Sequence, residues 1–268
     1  MSKSDTVRAM PVAMSVAGSD SGAGAGIQAD LLTFAAHGVY GTTAITCLTA
    51  QNPDGVSAVQ AATPEFVAAQ LSQLAGYFDI RAMKTGMLFD SGIVRAVCAF
   101  METRRDIPAV VDPVMVATSG AALLCEEAMA AVRGELLPLA TLITPNLDEA
   151  AVILGQRPQS VDEMRDAARM LHVMCSTAVL LKGGHLDSGD SVTDILYTAD
   201  GTMLEFSDER IRGVNTHGSG CTLSAAICAG LAKGMELPEA VFRARHYLMD
   251  GMRKGLNLGR DTFIAHLP

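Results

Sequence analysis

The chain has 268 residues, of which 49% are hydrophobic, and a formal net charge of −9. That is enough apolar material for a large core, while the acidic balance and the lack of any Lys/Arg cluster exclude a basic nucleic-acid-binding face. No continuously apolar 18-residue span is present and MSKSDTVRAMP has no apolar leader, so neither a membrane nor an export signal is expected.

In chain order, short and almost wholly apolar runs alternate with longer helical patterns. The expected strands are VAMSVAG (12–18), TTAITCLTA (42–50), AMKTGML (82–88), AVVDPVM (109–115), TLITP (141–145) and TAVLLKG (177–183). Continuously apolar runs of this length read as strands covered on both faces. TPEFVAAQLSQLAGYF carries Phe66, Val67, Gln70, Leu71 and Leu74 at helical spacing, with Thr63 as cap and Pro64 at the first helical position. SVDEMRDAARMLHVM opens with the capping-box pair Ser160 and Glu163, and LPEAVFRARHYLMDGM is the last long helix. SVTDILYT and TMLEFS flank Ala199-Asp200-Gly201 and read as an antiparallel hairpin at a sheet edge. The alternation predicts one α/β domain over residues 1–268, with a mainly parallel central sheet, helices on both faces and an antiparallel edge hairpin.

In such folds ligands bind beyond the carboxyl ends of the strands. The segments there are rich in Gly, Lys, Asp and Asn. GSDSGAGAGIQAD (18–30) contains GAGIQA, which has the letters of a dinucleotide fingerprint. Gly24 stands six positions beyond the expected strand end, and no acid stands about 20 positions on, so the fingerprint context fails. A glycine loop that admits a small substrate close to the backbone is the functional alternative.

Further along, Asp112 ends a strand in VDPVM, where it caps a turn or sits near a metal or phosphate. In TPNLDEA, Asn146 and Glu149 are spaced as a capping box; the same pair could orient water around Mg²⁺. Lys182 in LLKGGH is a solvated strand end or a phosphate-directed charge, and His185 has no evident role. In NTHGSGCT, Gly218, Ser219 and Gly220 precede an apolar run through Ala232. They form either an anion cradle at a buried helix start or a tight loop closed by Thr216 or Ser219. Of the six cysteines, none forms a CxxC pair or has a His at zinc-ligand spacing. Reduced thiols and a cytoplasmic setting are therefore expected. Phosphoryl transfer, which needs positioning and charge neutralisation more than covalent chemistry, is the reaction these strand ends suit.

The motifs AGSDSGAGAGIQADL, TAQNPDGV, KTGML, VDPVM, LITPNLDEA, LLKGGH and NTHGSGCTLSAAI run from Val12 to about Lys233. Their order closely resembles the hydroxymethylpyrimidine/phosphomethylpyrimidine kinases of thiamine biosynthesis, in the ribokinase-like superfamily. The resemblance implies transfer of the γ-phosphate of MgATP to 4-amino-5-hydroxymethyl-2-methylpyrimidine and then to its monophosphate, with ATP and Mg²⁺ required. It assigns the pyrimidine site to Gly18, Ala25, Asp30, Gln51, Met87 and Val114, and the phosphate-facing lysine to Lys182. Asp112, Asn146 and Glu149 match the magnesium and phosphate region, and Gly218 to Cys221 the anion hole. A homodimer is the family's usual state. Ser219 stands where Thr is commoner, and the first loop lacks a common Pro. Sugar kinases of the superfamily carry Asp at the place of Cys221 and use it as base. A thiol at a helix start can have a lowered pKa, so Cys221 is expected to accept or orient the substrate hydroxyl proton. Pyridoxal kinase is the nearest alternative, and a non-catalytic precursor binder the next.

Overall fold

The computed structural model describes residues 9–115, 124–186 and 189–266. Most of the opening segment read for a leader, residues 1–8, lies outside them. The strands are β1 (Val12–Asp20), β2 (Tyr40–Asn52), β3 (Gly55–Ala61), β4 (Ile80–Thr85), β5 (Ala109–Val111), β6 (Leu142–Ile143), β7 (Ala178–Leu181), β8 (Ser191–Tyr197) and β9 (Met203–Glu209). They form one sheet in the order β3-β2-β1-β4-β5-β6-β7-β8-β9. From β2 to β7 every neighbour is parallel, and β3, β8 and β9 run antiparallel.

The helices are α1 (Gly26–Ala36), α2 (Pro64–Tyr77), α3 (Ser91–Thr103), α4 (Glu126–Ala131), α5 (Leu147–Leu154), α6 (Val161–Cys175), α7 (Ser219–Ala232) and α8 (Leu237–Lys254). Successive strand residues point to opposite faces, and the core divides accordingly. Met14, Val16, Met83, Val111, Ile143 and Val179 pack with α2 to α6. Ala13, Ala82, Val110, Leu142, Ala178 and Leu180 pack with α1, α7 and α8. This is why the strands read as unbroken apolar runs: both of their faces are covered.

The expected edge hairpin is β8–β9, with Tyr197 paired to Met203 and Gly201 at φ +86° in its turn. The opposite edge corrects the sequence reading. β2 continues to Asn52 and returns as β3, a ribbon not expected because GVSAVQA is solvent-exposed over nearly its whole length. β1 also runs two residues beyond Gly18, to Asp20, so only residues 21–25 separate it from α1. In α6 the Ser160 side chain accepts from Glu163 N–H as expected, but the Glu163 carboxylate reaches Gln159 N–H rather than Ser160.

The chain leaves β1 toward β2 on one side, and later strands build outward from β4 on the other. The carboxyl end of β1 is therefore a topological switch point, where open α/β sheets place their ligands.

Candidate active site

Two groups of side chains meet at this end of the sheet. The first is ionic. Asp112 follows β5 and is almost fully buried; Lys182 follows β7, and its Nζ lies 2.8 Å from Asp112 Oδ1. Thr144 Oγ1 donates to the same oxygen at 3.0 Å. Burial opposes the Asp112 charge, but Lys182 and Lys84 outweigh it and hold the carboxyl below the usual range. Burial likewise opposes the Lys182 charge, and Asp112 and Glu149 reverse it, so the lysine stays an ammonium.

Asn146 and Glu149 form a complete capping box on α5. The Asn146 side chain accepts from Asp148 N and Glu149 N, each at 2.8 Å, and Glu149 Oε2 accepts from Asn146 N at 2.8 Å. Glu149 is 3% exposed, and burial pushes its pKa up to about 7 against the pull of Lys182. Asn146 also bridges to Lys182, so the cap lies beside the lysine.

α7 begins at the far side of this group. Gly218 adopts φ +79° and α7 has no side-chain cap. The Thr216 or Ser219 closure considered from sequence reduces to a backbone bond, Ser219 N–H to Thr216 O at 3.0 Å. A Cβ on Gly218 would stand 1.8 Å from Gly24 O, and one on Gly220 3.2 Å from Lys182 Nζ and 3.6 Å from Asp112 Oδ2. The first glycine lets the two loops touch; the second brings a bare helix start up to the Lys182–Asp112 pair.

Cys221 is half-buried, with its thiol near the Gly26 N–H at the start of α1. Its expected lowered pKa is not found. Burial pushes the thiol up, Asp30 and Asp112 add to that, and Lys84 opposes it without prevailing. The helix start is real, but two nearby carboxylates and loss of water outweigh it.

The second group surrounds the carboxyl end of β1. Asp20, at the end of β1, accepts from Gly22 N at 2.8 Å and Ala25 N at 2.9 Å, and contacts His217 Nε2 at 3.1 Å. Burial opposes its charge, yet His217 and these N–H groups hold its carboxyl below the usual range. Gln51 Nε2 lies 3.1 Å from the same His217 nitrogen. Ala25 ends the loop before α1, and Gly18 packs against Cys47 and Met87, whose carbonyl accepts from Thr46. Val114 lies with Gly86, Asp112 and Pro113 around a small recess. Asp30 departs from the cleft: it is 0% exposed, with both oxygens on Lys84 Nζ at 2.8 and 2.9 Å and one on Ser15 Oγ.

Thus Gly18, Ala25, Gln51 and Met87 gather around the switch point, and Asp112, Lys182, Glu149 and Gly220 form a second cluster. Sequence reasoning missed Asp20, His217 and the Lys84–Asp30 pair. Lys84 offered a signal, a lysine inside an apolar strand; Asp20 and His217 lie 197 residues apart and offered none. Burial opposes the Lys84 ammonium, but Asp30 reverses this and raises its pKa. Four of the cysteines are buried and Cys125 is exposed. Among the described residues no group of three His, Cys, Asp or Glu side chains is placed to hold a metal, and no helix is long and apolar enough to cross a membrane.

A family profile described as phosphomethylpyrimidine kinase matches residues 20–266. A hydroxymethylpyrimidine/phosphomethylpyrimidine kinase of Rhizobium meliloti is 50% identical over 240 residues, covering 88% of each chain. A thiamine biosynthesis bifunctional protein of Geobacter sulfurreducens is 46% identical over 92% of this chain, which spans 50% of that protein. Among solved structures, Bacillus subtilis pyridoxal kinase in complex with ADP superposes with a TM-score of 0.89 at 36% identity, over 96% of this chain and 98% of that one. With its ribokinase-like sheet and this extent of similarity, the chain belongs to the phosphomethylpyrimidine kinase family of phosphotransferases.

Proposed function

We propose that a single domain spanning the chain transfers the γ-phosphoryl group of ATP to the hydroxymethyl group of 4-amino-5-hydroxymethyl-2-methylpyrimidine, and then to its monophosphate. The observation that carries this reading is the Lys182–Asp112 pair at 2.8 Å, facing the uncapped start of α7. An ammonium and free backbone N–H groups at one point suit a phosphoryl group whose charge must be neutralised during transfer. Gly18, Ala25, Gln51, Met87 and Val114 surround the pyrimidine; the Gln51 amide both donates and accepts, as an aminopyrimidine edge requires. Asp30 supports this pocket from below, through Lys84 and Ser15.

In the transfer, the substrate hydroxyl oxygen forms a bond to the γ-phosphorus. The bond from that phosphorus to the β–γ bridging oxygen breaks, and ADP leaves with that electron pair. The hydroxyl proton passes to Cys221 as its thiolate. Gly218, Gly220 and Cys221 direct N–H groups at the transferred phosphoryl, Ser219 closes the loop by donating its own N–H to Thr216 O, and Lys182 follows the developing charge.

Magnesium fits these residues in a restricted way. Mg²⁺ typically keeps several waters and takes one or two carboxylates together with substrate phosphates. Asp112 and Glu149 supply that many, although Lys182 and the α5 cap already occupy an oxygen of each. They and Asn146 would hold the ion mostly through water, and the ion would neutralise phosphate charge.

A homodimer in the cytoplasm is part of the same proposal, supported by exposed Leu48, Val56 and Val59 on the β2–β3 ribbon. The deciding experiment is a coupled ADP-release assay with the pyrimidine alcohol, its monophosphate and pyridoxal as separate substrates. Turnover of both pyrimidines is expected. The likeness to pyridoxal kinase makes pyridoxal the second reading, and pyridoxal turnover with neither pyrimidine active would install it.

A further inference from the structure

The corner that carries Lys182 hangs on a buried carboxylate outside the cleft. Lys182 leaves β7 with its N–H donated to Pro145 O at 2.9 Å. The next N–H, that of Gly183, donates to Asp194 Oδ1 on β8 at 2.7 Å. No side chain fits at position 183, since a Cβ there would stand 2.0 Å from Thr193 O. The corner is thus pressed onto β8 and tied to one oxygen. The second Asp194 oxygen is ion-paired with Arg245 Nη1 of α8, and the two side chains are each 7% exposed. Arg245 is fixed in turn by Asp208 Oδ2 of β9 at 2.6 Å and lies 5.7 Å from the centre of the Phe206 ring.

A buried ion pair contributes little stability compared with apolar groups of the same bulk, so stability alone gives weak reason for this one. Its geometry gives a better one. A lysine has four rotatable side-chain bonds, and its ammonium reaches a reacting phosphoryl group reproducibly only if its own backbone is fixed. We propose that Asp194, oriented by Arg245, is a positioning residue for Lys182 in phosphoryl transfer. The chain of contacts is continuous: Arg245 holds Asp194, Asp194 holds Gly183 N–H, and Gly183 sets the direction in which Lys182 meets Asp112.

The inference rests on Lys182 acting in the transfer, so Lys182→Ala is measured alongside. Asp194→Asn keeps an acceptor for Gly183 N–H, and its kcat is expected to stay within about threefold of wild type. The double variant Asp194→Leu/Arg245→Met replaces the pair by apolar groups. Its kcat is expected to fall about 10- to 100-fold with the KM for the pyrimidine alcohol within about twofold, as for a displaced catalytic group. Wild-type kcat in the double variant while Lys182→Ala is inactive overturns the proposal and leaves the lysine reading standing. A loss confined to KM, or an Asn variant as impaired as the double variant, also overturns it. Wild-type kcat in Lys182→Ala overturns both. If the double variant does not fold, Asp194→Thr takes its place, assayed below its Tm. Lost kcat in fully folded protein supports positioning, and lowered Tm with unchanged kcat overturns it.

Discussion

At the residue scale, Cys221 and Glu149 carry the sharpest consequences, because the pKa of each is raised above its ordinary value. The thiol is held up by burial and by Asp30 and Asp112, so its thiolate fraction rises across the alkaline range. If that thiolate takes the hydroxyl proton, kcat rises with pH well beyond neutrality in the wild type. Cys221→Ala is then expected to lose about 10²-fold or more in kcat and to flatten the profile, measured by ADP release from about pH 6 to 10. A variant with wild-type kcat would leave Cys221 only its contact with Gly26. Glu149 is lifted by burial from 4.5 to about 7. Between those values the folded chain keeps a proton that the unfolded chain has released, so this group's contribution to stability falls as pH rises through that window. Glu149→Gln removes the titration while its amide oxygen can still accept Asn146 N–H. Its Tm relative to wild type is expected to increase from about pH 5 to about pH 8, read by thermal melts at each pH.

At the scale of elements, the buried pair between α1 and β4 and the start of α7 decide how the site is supported. Lys84 and Asp30 are both 0% exposed and neutralise each other. Lys84→Met alone leaves an uncompensated carboxylate and is expected to cost about 3–5 kcal/mol in chemical denaturation. Lys84→Met/Asp30→Leu is expected to recover most of that loss, because no charge then remains buried. At Gly218, alanine meets both φ +79° and the Gly24 carbonyl. Gly218→Ala should separate the α7 start from the β1–α1 loop and lower kcat about 10-fold or more, with a smaller change in Tm, checked by steady-state kinetics beside calorimetry. The elements also show what patterns in the chain can reveal. The strands of the parallel sheet were legible because both their faces are covered, which leaves an unbroken apolar run. β3 was not legible, since an exposed edge ribbon needs no apolar pattern, and the end of β1 was misplaced because Ser19 and Asp20 are polar residues still paired to β2.

At the scale of the whole molecule, the proposed homodimer is testable through the β2–β3 ribbon. Val59→Asp is expected to shift the mass in light scattering from dimer toward monomer, since a charge on an apolar contact surface opposes association. What the sequence determined by itself was local chemistry and its order. Hydrophobic runs and caps define a doubly covered sheet, the Gly, Lys, Asp and Asn residues at its strand ends suit phosphoryl transfer, and seven ordered motifs carry the family resemblance. Capping and turn residues act within a few positions, so the chain alone carries that information. Only the tertiary structure decided which groups face each other: Asp20 with His217, Lys84 with Asp30, Asp112 with Lys182, Arg245 with Asp194. The Cys221 pKa was expected to be lowered by its place at a helix start, and it is raised because burial, with Asp30 on α1 and Asp112 just after β5, disfavours the thiolate. A pKa depends on the field of all neighbours and on the exclusion of water, and those are set by packing between distant segments rather than by the residues on either side.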